Sequence, residues 1–195
     1  MFLKTNLKVS IIFVLLMNIF MIGCTSSKSL HDPPYDPPEI TITIEDKELE
    51  YVIGKNVWNN SIYDREDTFR EILKKGSKIE IPYIELGKTV VISFNSYPPD
   101  NLTISDILLD IDGYKKYPSI DAINIPVELK NGKCSFEISR NIETLLDSNW
   151  VPGMTYNRGF RIIATWGNNE CEYAFIIRTY SLSSQSTTII DKYKR

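Results

Sequence analysis

Between Glu39 and Tyr180 the chain alternates apolar and polar positions in short runs punctuated by Gly, Asn, Asp and Pro. The first run reads I-T-I-T-I (40–44), followed by E-L-E-Y-V-I (48–53), K-I-E-I-P-Y-I-E (78–85) and K-T-V-V-I-S-F (88–94). Others span 102–111, 123–129, 133–139, 159–166 and 171–180. A period of two puts successive side chains on opposite faces, as in a half-buried strand. About nine such short runs with turn residues between them predict an all-β fold, an antiparallel immunoglobulin-like β-sandwich.

Two stretches leave this pattern. Residues 64–75 begin with Asp64, carry acids in the first turn, place Phe69, Ile72 and Leu73 at i, i+3, i+4, and end on lysines before Gly76. That is the layout of a capped, amphipathic helix. Residues 141–147 repeat the spacing with Ile142, Leu145 and Leu146 and predict a second short helix, each crossing between sheets or closing an end. The strongest local signal is the hairpin from Phe160 to Ile177. Asn168-Asn169 as a type I′ turn sets Trp166 opposite Cys171, Ala164 opposite Tyr173 and Phe160 opposite Ile177. One face is then wholly apolar. The other mixes Ile163, Ala174 and Ile176 with charges, which predicts a partly covered second face.

Ahead of these runs, Val9–Ile22 is an apolar stretch of 14 residues preceded by Lys4 and Lys8. It is shorter than the roughly 18–20 residues of a transmembrane helix and has the layout of a secretory signal. An ordinary signal-peptidase site needs small residues, yet the first alanine is Ala122. Met21-Ile22-Gly23-Cys24 stands there instead and resembles the lipobox of bacterial lipoproteins. Methionine replaces the favoured leucine. The resemblance implies diacylglyceryl transfer to the Cys24 thiol and cleavage before it. The expected organisation is a signal peptide (1–23), a lipidated Cys24 with a Pro-rich tether (24–38), the sandwich (39–180) and a tail (181–195). Two Asp-Pro-Pro units, 32–34 and 36–38, favour a stiff extended spacer.

Composition narrows the chemistry. Cleavage before Cys24 removes Lys4 and Lys8 and no acid, leaving 20 basic residues against 25 acidic, a net charge of −5. That balance offers no footprint for nucleic acid. His31 is the only histidine and sits in the tether. The folded part therefore lacks Ser-His-Asp and Cys-His machinery, HExxH sites and the usual zinc sets. No P-loop or G-x-G-x-x-G occurs, and no cofactor or metal is implied. Asp110-Ile-Asp112-Gly113 fails as a calcium loop, because the register puts Leu108 and Ser119 at the first and twelfth positions, so it reads as a turn. Asp64, Asp67 and Glu71 share a helix face but alternate with Arg65, Arg70 and Lys74 at ion-pair spacing.

Cys134 and Cys171 point inward by parity and are a candidate disulfide pair in an oxidising compartment; the competing reading is two small buried hydrophobes. Trp58 and Trp150, in loop-like settings near Tyr63, Tyr97, Tyr114 and Tyr156, are candidate sugar-stacking residues; the competing reading is aromatics plugging the sandwich ends.

The segments "YVIGKNVWNNSIYDRED", "IPYIELGKTVVISF" and "RGFRIIATWGNNECEYAFIIRT" resemble uncharacterised surface domains of low-GC Gram-positive bacteria, found in lipoproteins and as extracellular parts of membrane sensor peptidases. The resemblance covers most of the folded domain and implies an extracytoplasmic Ig-like module, with no ligand or catalytic residues attached. The expected function is a non-enzymatic binding or sensing lipoprotein, held on the outer face of the bacterial membrane by its N-terminal lipid. The alternative is a module for carbohydrate or cell wall. The partner is accordingly a wall glycan or a surface protein. A Cys24→Ala chain should incorporate no radiolabelled palmitate and should accumulate uncleaved, while the parent chain is labelled and processed.

Overall fold

The computed structural model describes residues 34–180 apart from 66, 75, 76 and 152. The expected signal peptide, Cys24, His31, Gly76 and the tail beyond Tyr180 lie outside the described residues. Ten strands are described: β1 Thr41–Ile44, β2 Lys47–Leu49, β3 Val52–Trp58, β4 Ser61–Tyr63, β5 Thr89–Ser93, β6 Asn101–Leu109, β7 Ile123–Ile125, β8 Lys133–Glu137, β9 Thr155–Trp166 and β10 Asn169–Tyr180. They form two antiparallel sheets, β2-β1-β5-β8 and β4-β3-β10-β9-β6-β7. The all-β sandwich expected from the alternation is present. β1, β5 and β8 take the places of strands A, B and E of an immunoglobulin-like sandwich, and β6, β9 and β10 those of C, F and G. β2, β3, β4 and a short helix α1 (Thr68–Leu73) are inserted between A and B.

The core between the sheets is built by the period-two faces. Ile42, Val90, Ile92, Phe136 and Ile138 from one sheet meet Ile104, Phe160, Ile162, Tyr173, Phe175 and Ile177 from the other. Phe160 and Phe175 are register partners on neighbouring strands and stack at 4.9 Å with 9° between their planes. Such cross-strand aromatic pairs help to fix register as well as bury area.

The hairpin face is as expected and its turn is not. Trp166 pairs with Asn169, so the turn is Gly167-Asn168 and the register is offset by two residues, with Ile162 opposite Tyr173 and Phe160 opposite Phe175. Gly167 takes φ 58 while Asn168 is not among the positive-φ residues, the pattern of a type II′ turn with Gly first. Because the offset is even, every side chain keeps its face. The type I′ turn occurs instead at Asn59-Asn60 (φ 48 and 63), between β3 and β4. That hairpin, signalled by V-W-N-N-S, was not among the expected strands.

Other expectations are corrected by Pro and by packing. The run at 78–85 is not a strand: it makes one isolated parallel bridge, Tyr83 with Arg178, around Pro82, which has no N–H to donate to a ladder. The run at 48–53 divides, Leu49 ending β2 in one sheet and Val52 opening β3 in the other. The helix expected over 64–75 is confined to Thr68–Leu73, with Asp67 as N-cap residue, and Asp67 makes no side-chain cap bond. The last residues of the expected tether are pinned to the domain. Trp58 Nε1 and Asn59 Nδ2 donate to Pro34 O at 2.9 and 3.2 Å, and Tyr173 OH donates to Pro38 O at 2.6 Å.

α1 covers the outer face of the six-stranded sheet, burying Phe69 and Ile72 against Ile107, Leu109, Ala174 and Ile176. This is the covered second face of the hairpin. It depends on Gly159 in β9, where a Cβ would stand 2.6 Å from Phe69 Cε1 and 2.9 Å from Leu109 Cδ1. Gly159→Ala should therefore destabilise the fold by about 1–3 kcal/mol, as over-packing does, measured by urea unfolding.

Candidate functional site

The end of the sandwich where β9 begins is polar inside and apolar outside. Arg158 of β9 is on the core-facing parity and 2% exposed, and Asp106 of β6 beside it is 3% exposed. Arg158 Nε and Nη2 donate to Asp106 Oδ1 and Oδ2 at 3.2 and 2.5 Å, and Nη1 donates to Ser139 O at 2.8 Å. The guanidinium carbon lies 5.4 Å from the Phe160 ring centre. A buried charge is tolerated when geometry of this kind uses its donors.

The connection from β8 to β9 closes over this pair. Asn141 Oδ1 accepts from Glu143 N at 2.9 Å and caps a 3-10 helix over Ile142–Leu146. The second expected helix is thus present in tighter form, but inside out. Glu143 and Thr144 are buried, at 2% and 3%, whereas Ile142, Leu145 and Leu146 are exposed at 66%, 64% and 54%. Ile142 and Leu145, three residues apart, eclipse on one face of such a helix. Val151 is also exposed. We call this set of exposed apolar side chains the ledge.

Two carboxyls under the ledge are shifted in opposite directions. Among the described residues the buried Glu143 carboxyl makes no hydrogen bond of normal geometry, and burial, helped by the charge of Asp106, raises its pKa against the pull of Lys115 and a weaker one from the nearby Leu108 amide. Asp147 is held below its ordinary value by Lys116 Nζ at 2.6 Å and by Asn149 N, with help from Tyr156 OH at 3.1 Å. Tyr156, at the start of β9, occupies the place of the tyrosine corner, here with a carboxylate nine residues upstream as acceptor.

The residues singled out in the sequence fall elsewhere. Trp58 is 4% exposed and packs edge-on against Trp166 at 5.1 Å, so it is a core residue and offers no sugar-stacking face. Trp150 is half-buried with its ring nitrogen inside the protein. Tyr63 and Tyr114 are exposed, Tyr97 is half-buried and stacks on Trp166, and Tyr156 is buried. Cys134 and Cys171 are free and buried, one in each sheet. Burial pushes the Cys134 thiol up to about 11 and Cys171 to about 12, which keeps both protonated at neutral pH. Asp110 makes a turn, its Oδ1 accepting from Asp112 N and Tyr114 N at 2.9 Å. Asp64, Asp67 and Glu71 pair with Lys55, Arg70 and Lys74. Among the described residues no group of three or more His, Cys, Asp or Glu is placed to hold a metal ion.

Sequence reasoning missed the ledge because its apolar spacing resembles that of a buried helix face. The available signal was the pair of charges on core parity, Asp106 and Arg158. Compared with family models, with curated proteins and with solved structures, the chain finds no match.

The two carboxyls give opposite pH dependences. With its folded pKa above the ordinary 4.5, Glu143 costs stability as pH rises through that folded value. Glu143→Gln should be more stable than the parent at pH 7, with the difference vanishing below pH 4.5. With its folded pKa below 3.8, Asp147 contributes stability above that pH, lost as pH falls through the folded value. Asp147→Asn should cost about 1.5–3 kcal/mol at pH 7, as for a lost charged hydrogen bond, with the deficit shrinking in acid. Urea unfolding across pH 3–8 checks both.

Proposed function

We propose that the chain is a non-enzymatic, lipid-anchored module on the outer face of the bacterial membrane that recognises another protein through the ledge. The carrying observation is the exposure of Ile142, Leu145 and Leu146 together in one turn. Their position strengthens the reading. The described chain begins at Pro34 beside the β3–β4 and β9–β10 turns, whereas the ledge lies where β9 begins, a strand length of about 36 Å away. Among the eleven exposed large apolar side chains described, Tyr83, Ile111, Tyr114 and Tyr180 also lie towards the ledge end; only Tyr35, Ile62 and Tyr63 lie at the other. A domain held through Pro34 leaves that apolar end open to a partner. Contiguous apolar exposure on a soluble domain is the usual mark of an interface.

The glycan reading has less support. Trp58 is in the core, and the exposed Tyr83 and Tyr180 rings meet at 60°, which gives no flat platform. Anchoring rests on the Met21–Cys24 motif at the end of the Val9–Ile22 apolar run.

Site-specific photo-crosslinking in intact cells tests the reading. A benzophenone amino acid in place of Leu145 should give a discrete protein adduct, and one in place of Ile62, somewhat more exposed at the other end, should not. Leu145→Glu should abolish partner capture at its neighbours while changing stability by less than about 0.5 kcal/mol, as for an exposed site. A surface-displayed, folded protein that yields no adduct from position 145 would exclude the ledge as the recognition surface.

A further inference from the structure

On the outer face of the larger sheet, α1, β6 and the 110–122 loop line a cleft of about 550 Å³. That is within the range of about 300–1,000 Å³ usual for small-molecule sites. Its floor is apolar, formed by Phe69, Ile107, Leu109 and Ala122. Its walls carry Arg70, Lys115 and Arg161 against one carboxylate, Asp67. In a chain with more acidic than basic residues, three cations around an apolar floor run against the overall charge.

Two of these cations, Arg161 and Arg70, are positioned without being fully satisfied, while Lys115 also acts on Glu143. The Arg161 guanidinium lies 5.6 Å from the Phe69 ring centre, and that of Arg70 lies 4.5 Å from Tyr114. Contact through the flat face leaves the N–H edges for an acceptor. Arg161 Nε stands 3.3 Å from Glu172 Oε2 but makes no hydrogen bond there, while Glu172 Oε1 accepts from Thr68 Oγ1 at 2.8 Å. Arg70 and Asp67 are a loose pair at 3.7 Å. The rim is fixed by Gly113 (φ 86), where a Cβ would stand 2.9 Å from the Arg70 backbone, so the loop seats directly on α1.

We propose that this cleft binds a small amphiphilic anion, its apolar body on Phe69, Ile107 and Leu109 and its head on Arg161, Lys115 and Arg70. A carboxylate and a phosphate head suit the same guanidinium edges, and the test separates them. The site shares no residue with the ledge and does not depend on it. If Arg161 served only to pair with Glu172 on the sheet surface, no ligand would follow.

Equilibrium dialysis of radiolabelled octanoate against the full chain in nanodiscs, with empty nanodiscs as blank, reads the binding. Saturable binding of one octanoate per chain is expected, displaced by octyl phosphate and not by octanol or acetate at equal concentration. Whichever of octanoate and octyl phosphate binds more tightly identifies the head group. Arg161→Met should weaken binding at least tenfold and Arg161→Lys by less. Ala122→Phe, which fills the cleft without touching a charge, should weaken it likewise, with folding checked by circular dichroism. No saturable binding above the blank would overturn the proposal. So would displacement by octanol as effective as by octyl phosphate, or unchanged affinity in the folded Arg161→Met and Ala122→Phe variants.

Discussion

The end of the sandwich is organised around one buried charge. Arg158 occupies a core-facing position on β9, and removing a guanidinium from water costs several kcal/mol unless its donors are used. Asp106 takes two of them and Ser139 O a third, with Phe160 under the flat face. The floor beneath the β8–β9 connection is consequently polar. A leucine turned inward there would desolvate the pair further and give nothing back, whereas Thr144 and a capping Asn141 can hydrogen-bond within the turn. The turn therefore presents its polar residues to the floor and its apolar ones to solvent. The outward placement of Ile142, Leu145 and Leu146 follows from Arg158.

The rest of the fold leaves that end free to be specialised. The apolar faces of β9 and β10 continue from Phe160 to Trp166 and from Cys171 to Ile177 without a charge, and this stretch meets the smaller sheet in one continuous core. The insertion between β1 and β5 widens the larger sheet and lays α1 across its outer face, so that β9 and β10 are covered on both sides around Gly159, Ala174 and Ile176. Gly159 sets how closely α1 can lie, and the same seat forms the floor and one wall of the cationic cleft.

Strand alternation was sufficient to read the architecture, because a side-chain period of two survives an even register error. It placed Phe160, Ile162, Tyr173 and Phe175 on one face even though the turn was assigned one residue too far along. It failed where composition and backbone disagree. Ile79 and Ile81 keep the period of a strand, but Pro82 lacks the donor that a ladder needs. Trp58 looked exposed because V-W-N-N suggests a loop; the two asparagines are instead the turn of a hairpin that carries Trp58 into the core. The ledge was the least legible feature. Spacing reports that Ile142, Leu145 and Leu146 share a side of the turn but not which side faces in, and that choice is made by Asp106 and Arg158, distant in sequence.

Under the proposed reading, the ledge withholds from folding a gain that association would recover. Burying a Leu or Ile side chain contributes about 1.5–3 kcal/mol, and the folded domain forgoes most of that at three adjacent positions. It also buries the Glu143 carboxyl beneath them, where the loss of water outweighs the pull of Lys115 and the Leu108 amide, a second local cost. A sequence under selection for stability alone has simple remedies, since polar residues at 142, 145 and 146 would leave the floor and the capped turn intact. What those remedies would remove is the apolar centre that an interface needs, where a few well-packed side chains carry most of the binding energy. The gain withheld from folding remains available to a partner, and it lies at the end of the domain farthest from Pro34.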